Sequence, residues 1–336
     1  MNTLDVIVPH YKEPWNVCKY LFDTIAVQRG ILFDKVRVIL VNDGTDSVLF
    51  GSPENAMFHF MEYPFTVDYI VKEHGGVSAA RNCGLDGSNA DYVMFCDADD
   101  GFLNNYGLHL VFSAMQEGFD YLVSNFVEET FDENGNATIV NHDQDLTFMH
   151  GKIYRRQFLV DHDIRFNEAM TIHEDGYFNM LVHTVAQHEG KVKKISTPIY
   201  LWRWNNESVV RNNRKDFVLK TYENVMQTRI GLCDELKRRG YEEDYRTAVC
   251  MTVMNSYYDF QKPRYHVPEN TKYVKIAEKA FRQFWMKFNK TFYDLTNAKI
   301  AEVAQVARLN AIKNGMLLEQ QDLKSFLKHI EYEVKP

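Results

Sequence analysis

The sequence predicts an open α/β fold with a mostly parallel sheet, followed by an α-helical region. Three observations carry this expectation. The first hundred residues alternate near-continuous apolar runs with helical patterns, as a parallel sheet buried on both faces requires. Each run ends in polar or turn-forming residues, as in Asn42-Asp43-Gly44 and Asp97 to Asp100. From Gly240 no glycine occurs until Gly315, and from Pro268 no proline until Pro336, so that block reads as several helices.

Taken in order, Leu4–Pro9 is a strand and Trp15–Gly30 a helix. Val36–Val41 and Thr66–Val71 are strands, Gly76–Ser88 is a helix, and Tyr92–Cys96 is a fourth strand. In such sheets ligands bind beyond the carboxyl ends of the strands. Tyr11, Asp43, Asp97 and Asp99 are therefore candidates for one crevice. Beyond Asp100, Asn104–Gly118 is helical, and Tyr121–Thr130 and Ala137–Val140 are strands flanking an Asp-Glu-Asn-Gly-Asn turn. Tyr154–Asp161 and Tyr177–Ala186 read as helices, and Trp204 to Arg214 as a polar loop. The expected division is a domain over 1–214 and a helical region over 215–336.

A chain of 336 residues with 45% hydrophobic composition buries a sizeable core and suits two domains. Five widely spaced cysteines, none in a C-x-x-C pair, indicate neither a disulfide framework nor a zinc site. No secretory leader or bilayer-spanning run is expected, which points to the cytoplasm. The net charge of −8 is uneven: Lys262 to Pro336 holds 14 Lys+Arg and 8 Asp+Glu. A basic tail on an acidic body suits a solvated helical surface, a polyanion or peripheral attachment at the inner membrane face. Phe281, Phe284, Trp285, Phe288 and Phe292 recur at helical spacing beside Lys279, Arg282, Lys287 and Lys290. That stripe reads as core, with a membrane-surface face as the competing reading.

Asp97-Ala98-Asp99-Asp100 puts three carboxylates at the mouth of an apolar strand. Desolvated charge is costly, so the cluster asks for a cation, and hard oxygen ligands favour Mg²⁺ or Mn²⁺. A solvated turn is the alternative. Four further motifs stand in order with it: Val-Ile-Val-Pro-His-Tyr-Lys-Glu (6–13), Val-Ile-Leu-Val-Asn-Asp-Gly-Thr-Asp-Ser (38–47), Gly-Gly-Val-Ser-Ala-Ala-Arg-Asn-Cys-Gly (75–84) and His-Glu-Asp-Gly-Tyr-Phe (173–178). Together they resemble family 2 glycosyltransferases of the GT-A fold, over about residues 1–210.

The resemblance implies roles residue by residue. Pro9, Tyr11 and Glu13 would hold the nucleotide base, with Asp43 accepting from a uracil N3–H; an Asx-turn role is the bland reading of Asp43. His74 stands where the family usually has Asn. Arg81 would reach base or phosphates with its always-charged fork, while Asn82 either contacts ligand or holds the loop. In the Asp97-Ala98-Asp99 stretch of the donor site, Asp99 would coordinate Mn²⁺ or Mg²⁺ and Asp97 the ribose or metal. Asp100 is left without a role, helix capping being its bland reading. The stretch Trp202 to Ser208 lacks the His often found there, so Arg203 or Arg211 would close over the pyrophosphate. Asp175 fits the general base and Glu174 its orienting or acceptor-binding partner; acids decorating a helix N-terminus are the alternative. Gly151-Lys152 and Arg155-Arg156 sit where the family contacts acceptor or donor.

The expected activity is inverting, metal-dependent transfer of a hexose or N-acetylhexosamine from a UDP-sugar to an acceptor hydroxyl. The acceptor would be a glycan, a polyol-phosphate polymer, a lipid-linked sugar, a protein or modified nucleic acid. Homo-oligomerisation through the C-terminal helices is a further expectation. A sugar-phosphate nucleotidyltransferase would need a Gly-rich basic loop after the first strand, which His10-Tyr11-Lys12-Glu13 is not. A non-catalytic sugar-nucleotide scaffold is disfavoured by the intact Asp97, Asp99 and Asp175.

Overall fold

The apolar runs become the centre of a nine-stranded sheet of order β3-β2-β1-β4-β8-β6-β9-β5, with β7 added beside β6. These strands are β1 (Leu4–His10), β2 (Val36–Asn42), β3 (Thr66–Val71), β4 (Tyr92–Phe95), β5 (Gly101–Phe102), β6 (Tyr121–Phe131), β7 (Ala137–His142), β8 (Lys152–Arg155) and β9 (Val192–Trp202). The computed structural model describes residues 2–132, 134–205, 216–313 and 315–335. It divides into two compact units, Met1–Asn206 and Glu207–Pro336.

The sheet is mixed, which corrects the mostly parallel expectation. β1, β2, β3 and β4 run parallel, but β8 is antiparallel to both β4 and β6. β9 is parallel to β6 and antiparallel to β5. The Lys152–Arg155 strand occupies what read as the start of a helix, and the helix proper is only Arg156–Asp161. β9 escaped notice because Lys193, Lys194, Ser196, Thr197 and Pro198 interrupt any apolar run.

Helices of this unit are α1 (Trp15–Ala26), α2 (Pro53–Phe60), α3 (Val77–Asp86), α4 (Gly107–Glu117), α5 (Arg156–Asp161) and α6 (Glu174–Glu189). Along β1, Val6 and Val8 join a core with Leu21, Phe22 and Ile25 of α1. Burying each such side chain contributes roughly 1.5–3 kcal/mol. Ile7 points the other way and meets α3, as the two-residue period of a strand demands. There a Cβ on Gly84 would lie 2.3 Å from Ile7 Cγ2, so only glycine lets the helix sit this close to the sheet.

The second unit is helical: α7 (Phe217–Lys220), α8 (Tyr222–Arg238), α9 (Glu242–Asp259), α10 (Thr271–Tyr293), α11 (Asn297–Lys313) and α12 (Leu323–Lys328). Phe281, Phe284, Trp285, Phe288 and Phe292 are all buried, so the aromatic stripe is core. Among the described residues no helix is long and apolar enough to cross a membrane.

Candidate active site

The carboxyl ends of β1, β2 and β4 lie side by side and bring the motifs together. After His10 the chain turns through Lys12, in the left-handed region at φ 69°. This turn lets the Tyr11 amide donate to the Glu13 carboxylate at 2.7 Å and His10 Nε2 donate to the Glu13 carbonyl at 2.7 Å. Burial, with Asp99 and Asp97 nearby, pushes the Glu13 carboxyl up to about 7.

Tyr11 stacks on His74 with ring centroids 4.4 Å apart, joining the first motif to the third. Asp43 is buried below them. Its Oδ1 accepts from Lys72 Nζ (2.7 Å) and the Gly75 amide (2.9 Å), its Oδ2 from the Gly76 amide (2.7 Å). His74 Nδ1 lies 2.9 Å from Oδ2 and 2.9 Å from the Asp43 carbonyl. Burial opposes its charge, but Lys72 and the two glycine amides hold Asp43 below the ordinary carboxylate range. The Asx turn belongs instead to Asn42, whose Oδ1 accepts from the Gly44 amide at 3.0 Å. Asp43 therefore braces the 72–76 loop. Pro9 is buried one residue before the strand end.

The acid turn after β4 is pinned by β9. Tyr200 donates its hydroxyl to Asp100 Oδ2 at 2.7 Å, and the Arg203 amide donates to Asp100 Oδ1 at 2.9 Å. The Tyr200 oxygen also accepts from the Asp97 amide at 3.1 Å. Asp100 is fully buried and caps no helix. Burial, then Asp99 and Asp97, push its carboxyl well above the usual range, against the Tyr200 and Arg203 bonds. Ala98 is buried, and Asp97 and Asp99 on either side of it are half-buried. Asp99 Oδ2 accepts from Asn205 at 2.7 Å, and its carbonyl from Arg203 at 3.2 Å. The Arg203 guanidinium stacks 3.7 Å from the Tyr20 ring centre. Arg211 lies outside the described residues, as does the expected loop beyond Asn205.

Arg81 links this turn to the fifth motif. From α3, buried to 4% exposure, it donates to Glu174 Oε1 at 2.7 Å and to Asp97 Oδ1 at 3.0 Å. Burial works against its charge, but Asp97, Glu174 and Asp175 outweigh it and keep the guanidinium cationic. Glu174 and Asp175 open α6 directly after His173, whose left-handed backbone (φ 65°) swings the pair inward. Burial and the neighbouring Glu174 push the Asp175 carboxyl up to about 7, opposed by Arg81. Asn82 holds the segment leading into α6: it donates to the Phe166 carbonyl (3.0 Å) and Glu168 (2.8 Å) and accepts from the Phe166 amide (3.0 Å).

Two residues that the resemblance set against acceptor or donor are placed elsewhere. Arg155 pairs with Asp120 at 2.5 Å, and Arg156 donates to the Ala90 carbonyl. The antiparallel pairing of β8 with β4 sets both at the end of the sheet away from Asp97. Lys152 is fully buried and donates to the His150 carbonyl at 3.1 Å; burial pulls its ammonium down to about 8.

Sequence reasoning missed His150, Tyr200, Lys72 and Tyr20. His150 sits between the rings of Phe148 and Tyr200, and burial pulls it down to about 3. Its Nδ1 has no hydrogen-bond partner and lies 3.8 Å from Asp100 Oδ2. Of these, only Tyr200 carried a signal, in the aromatic density of Tyr200-Leu201-Trp202-Arg203-Trp204.

With this geometry in place, comparison with known proteins decides the family: the glycosyl transferase family 2 model matches residues 5–172. The chain belongs to glycosyl transferase family 2. Its first unit is a GT-A-like mixed α/β domain. EpsH of Bacillus subtilis (strain 168) is 26% identical over 222 residues, covering 60% of this chain and 62% of EpsH. The glycosyltransferase GlyA of Streptococcus pneumoniae serotype 4 is 27% identical over 234 residues, 62% of this chain and 32% of GlyA. The chain thus spans less than two thirds of either relative's length. Among solved structures, S. aureus TarS 1–349 in complex with UDP-GlcNAc superposes with a TM-score of 0.58 at 16% identity, covering 93% of this chain and 92% of that one. At that identity the likeness concerns the fold.

Proposed function

We propose that the protein transfers a sugar, with inversion, from a UDP-sugar to an acceptor hydroxyl. The observation that carries this reading is the bridge made by Arg81. One buried cation contacts the acid turn through Asp97 and the acceptor-side pair through Glu174, so both belong to a single site. In the reaction, the Asp175 carboxylate takes the proton of the acceptor hydroxyl. The acceptor oxygen bonds to the anomeric carbon from the face opposite the nucleotide, the bond to the diphosphate oxygen breaks, and UDP leaves. A carboxyl raised to about 7 suits a base working near neutral pH. Glu174, held by Arg81, keeps its neighbour in place and faces the acceptor.

The residues at the acid turn fit a divalent cation. Asp97, Asp100 and His150 each offer a ligand atom, all within 4.8 Å of one another, and the buried His150 Nδ1 lacks a hydrogen bond. The carboxylate oxygens suit Mn²⁺ or Mg²⁺, and an imidazole nitrogen beside them favours Mn²⁺ over the harder Mg²⁺. Asp97 and Asp99 would hold it on the donor side; when bound, such an ion offsets the charge of the leaving diphosphate. Arg203, fixed on Tyr20, guards the same end.

The nucleobase is assigned to the Tyr11–His74 pair above Asp43. Uracil is favoured because TarS, which shares the fold, binds UDP-GlcNAc. The Asp43 carboxylate already meets Lys72, His74 and two amides, so its contact with a uracil N3–H requires His74, the most exposed of them, to turn toward the base. A nucleotidyl-transfer reading finds no support at β1, where His10 and Glu13 bond to the turn itself.

The test is a screen of UDP- and GDP-sugars for Mn²⁺-dependent hydrolysis, followed by Asp175→Asn. Loss of turnover with UDP binding retained is expected. Normal turnover in that variant would overturn the base assignment, and preference for a guanine nucleotide the uracil contact.

A further inference from the structure

Helix α10 has two faces, and its core accounts for only one. At 100° per residue, Lys272, Lys275, Ile276, Lys279, Gln283, Met286, Lys287, Lys290 and Tyr293 share one outer arc, all exposed. The helix contains one acid, Glu278, which is turned aside to His329 at 3.1 Å. Lys287 pairs with Asp234 at 2.5 Å, whereas Lys272, Lys275, Lys279 and Lys290 have no ion-pair partner among the described residues. Within this row of cations Ile276 is 37% exposed, Met286 48% and Tyr293 63%. The segment His329–Glu333, which packs on α10, adds Tyr332 at 76% exposure.

We propose that this face of α10 docks the protein on an anionic phospholipid surface. Four unneutralised lysines in one row attract negative charge. A soluble polyanion would be served by the lysines alone and would leave Ile276, Met286 and Tyr293 in water. A bilayer interface takes both: the ammonium groups lie at the headgroups while the isoleucine, methionine and tyrosine enter the acyl boundary. A helix of 23 residues, about 34 Å long at 1.5 Å per residue, lies flat on such a surface. The face belongs to the second unit and is independent of the reading of the active site.

The experiment is sedimentation of the full chain with phosphatidylcholine vesicles, with and without phosphatidylglycerol, at low and high salt. Binding is expected only with phosphatidylglycerol, falling with salt and weakening by about fivefold for each lysine removed in Lys272→Gln, Lys275→Gln, Lys279→Gln and Lys290→Gln. The combined Ile276→Ser, Met286→Ser and Tyr293→Ser variant should also bind more weakly. The lysine variants and the apolar variant all change exposed side chains, and unchanged thermal unfolding confirms that they fold. No binding to phosphatidylglycerol vesicles, or unchanged binding by either variant, overturns the proposal. Competition by soluble poly(glycerol phosphate) together with indifference to the apolar variant would assign the face to a polymer instead.

Discussion

The Arg81 guanidinium meets the Glu174 carboxylate at 2.7 Å across 93 residues of chain, with Glu174 8% exposed. Removing one partner of such a pair leaves an uncompensated buried charge. Arg81→Met is expected to cost about 3–5 kcal/mol of stability, measured by urea unfolding. Glu174→Gln, which keeps a hydrogen-bond acceptor for Arg81, should cost less. Equal losses from both would show that the charge of Glu174 matters beyond its bond.

Asp175 gives a prediction with a defined sign. Its carboxyl is raised to about 7 in the folded chain, so folding disfavours its charged form. The stability associated with the neutral carboxyl is complete below the ordinary Asp range and is lost as pH rises through about 7. Asp175→Asn should therefore be more stable than the parent by about 1–2 kcal/mol at pH 8, and show little gain at pH 4. Thermal unfolding across pH measures this. An advantage independent of pH would contradict the raised carboxyl.

Asp100 and Asp97 should separate under conservative change. Asp100 is buried and favours its neutral form, so Asp100→Asn keeps one acceptor for Tyr200 or Arg203 and should cost about 1 kcal/mol. Asp100→Ala leaves both donors unpaired and should cost about 2–4 kcal/mol. Mn²⁺ binding followed by calorimetry should fail in Asp97→Asn with Asp99→Asn and weaken in Asp100→Asn and in His150→Ala, whose ligand atoms face the same point as that of Asp97. Unchanged Mn²⁺ binding in both Asp100→Asn and His150→Ala would take the ion away from that cluster, and unchanged binding in the Asp97→Asn with Asp99→Asn variant would take it away from the acid turn.

Gly84 allows a steric test. Gly84→Ala brings a Cβ to 2.3 Å from Ile7 Cγ2 and should cost about 1–3 kcal/mol by overpacking. Ile7→Ala removes that methyl, so the double variant should lose less than the two single changes together.

The polar strand ends were legible in the sequence because a buried apolar run announces where it stops. Asp43, Asp97 and Asp99 could be located this way, whereas the Glu174-Asp175 pair at the start of a helix was reached only through the family resemblance. What supports them was not legible. The Gly75 and Gly76 amides that grip Asp43 are backbone groups, which residue identity does not reveal. Tyr200 and His150 are single residues whose partner, Asp100, lies 100 and 50 positions away, beyond the reach of any local period. The mixed sheet stayed hidden for the same reason: the antiparallel seats of β8 and β5 are set by pairing across the chain.

The stapling of the acid turn by β9 bears on how the site comes into being during synthesis. The Asp100 bonds to Tyr200 and Arg203, and the Asp99 bond to Asn205, close loops of 100, 103 and 106 residues. Loops of that length close late and slow the search for the native topology. A nascent chain emerging only as far as Ile172, the end of the family match, would carry every donor-side motif yet hold Asp100 with neither clasp. The acid turn would take its final form only once β9 has left the ribosome and found its place between β6 and β5.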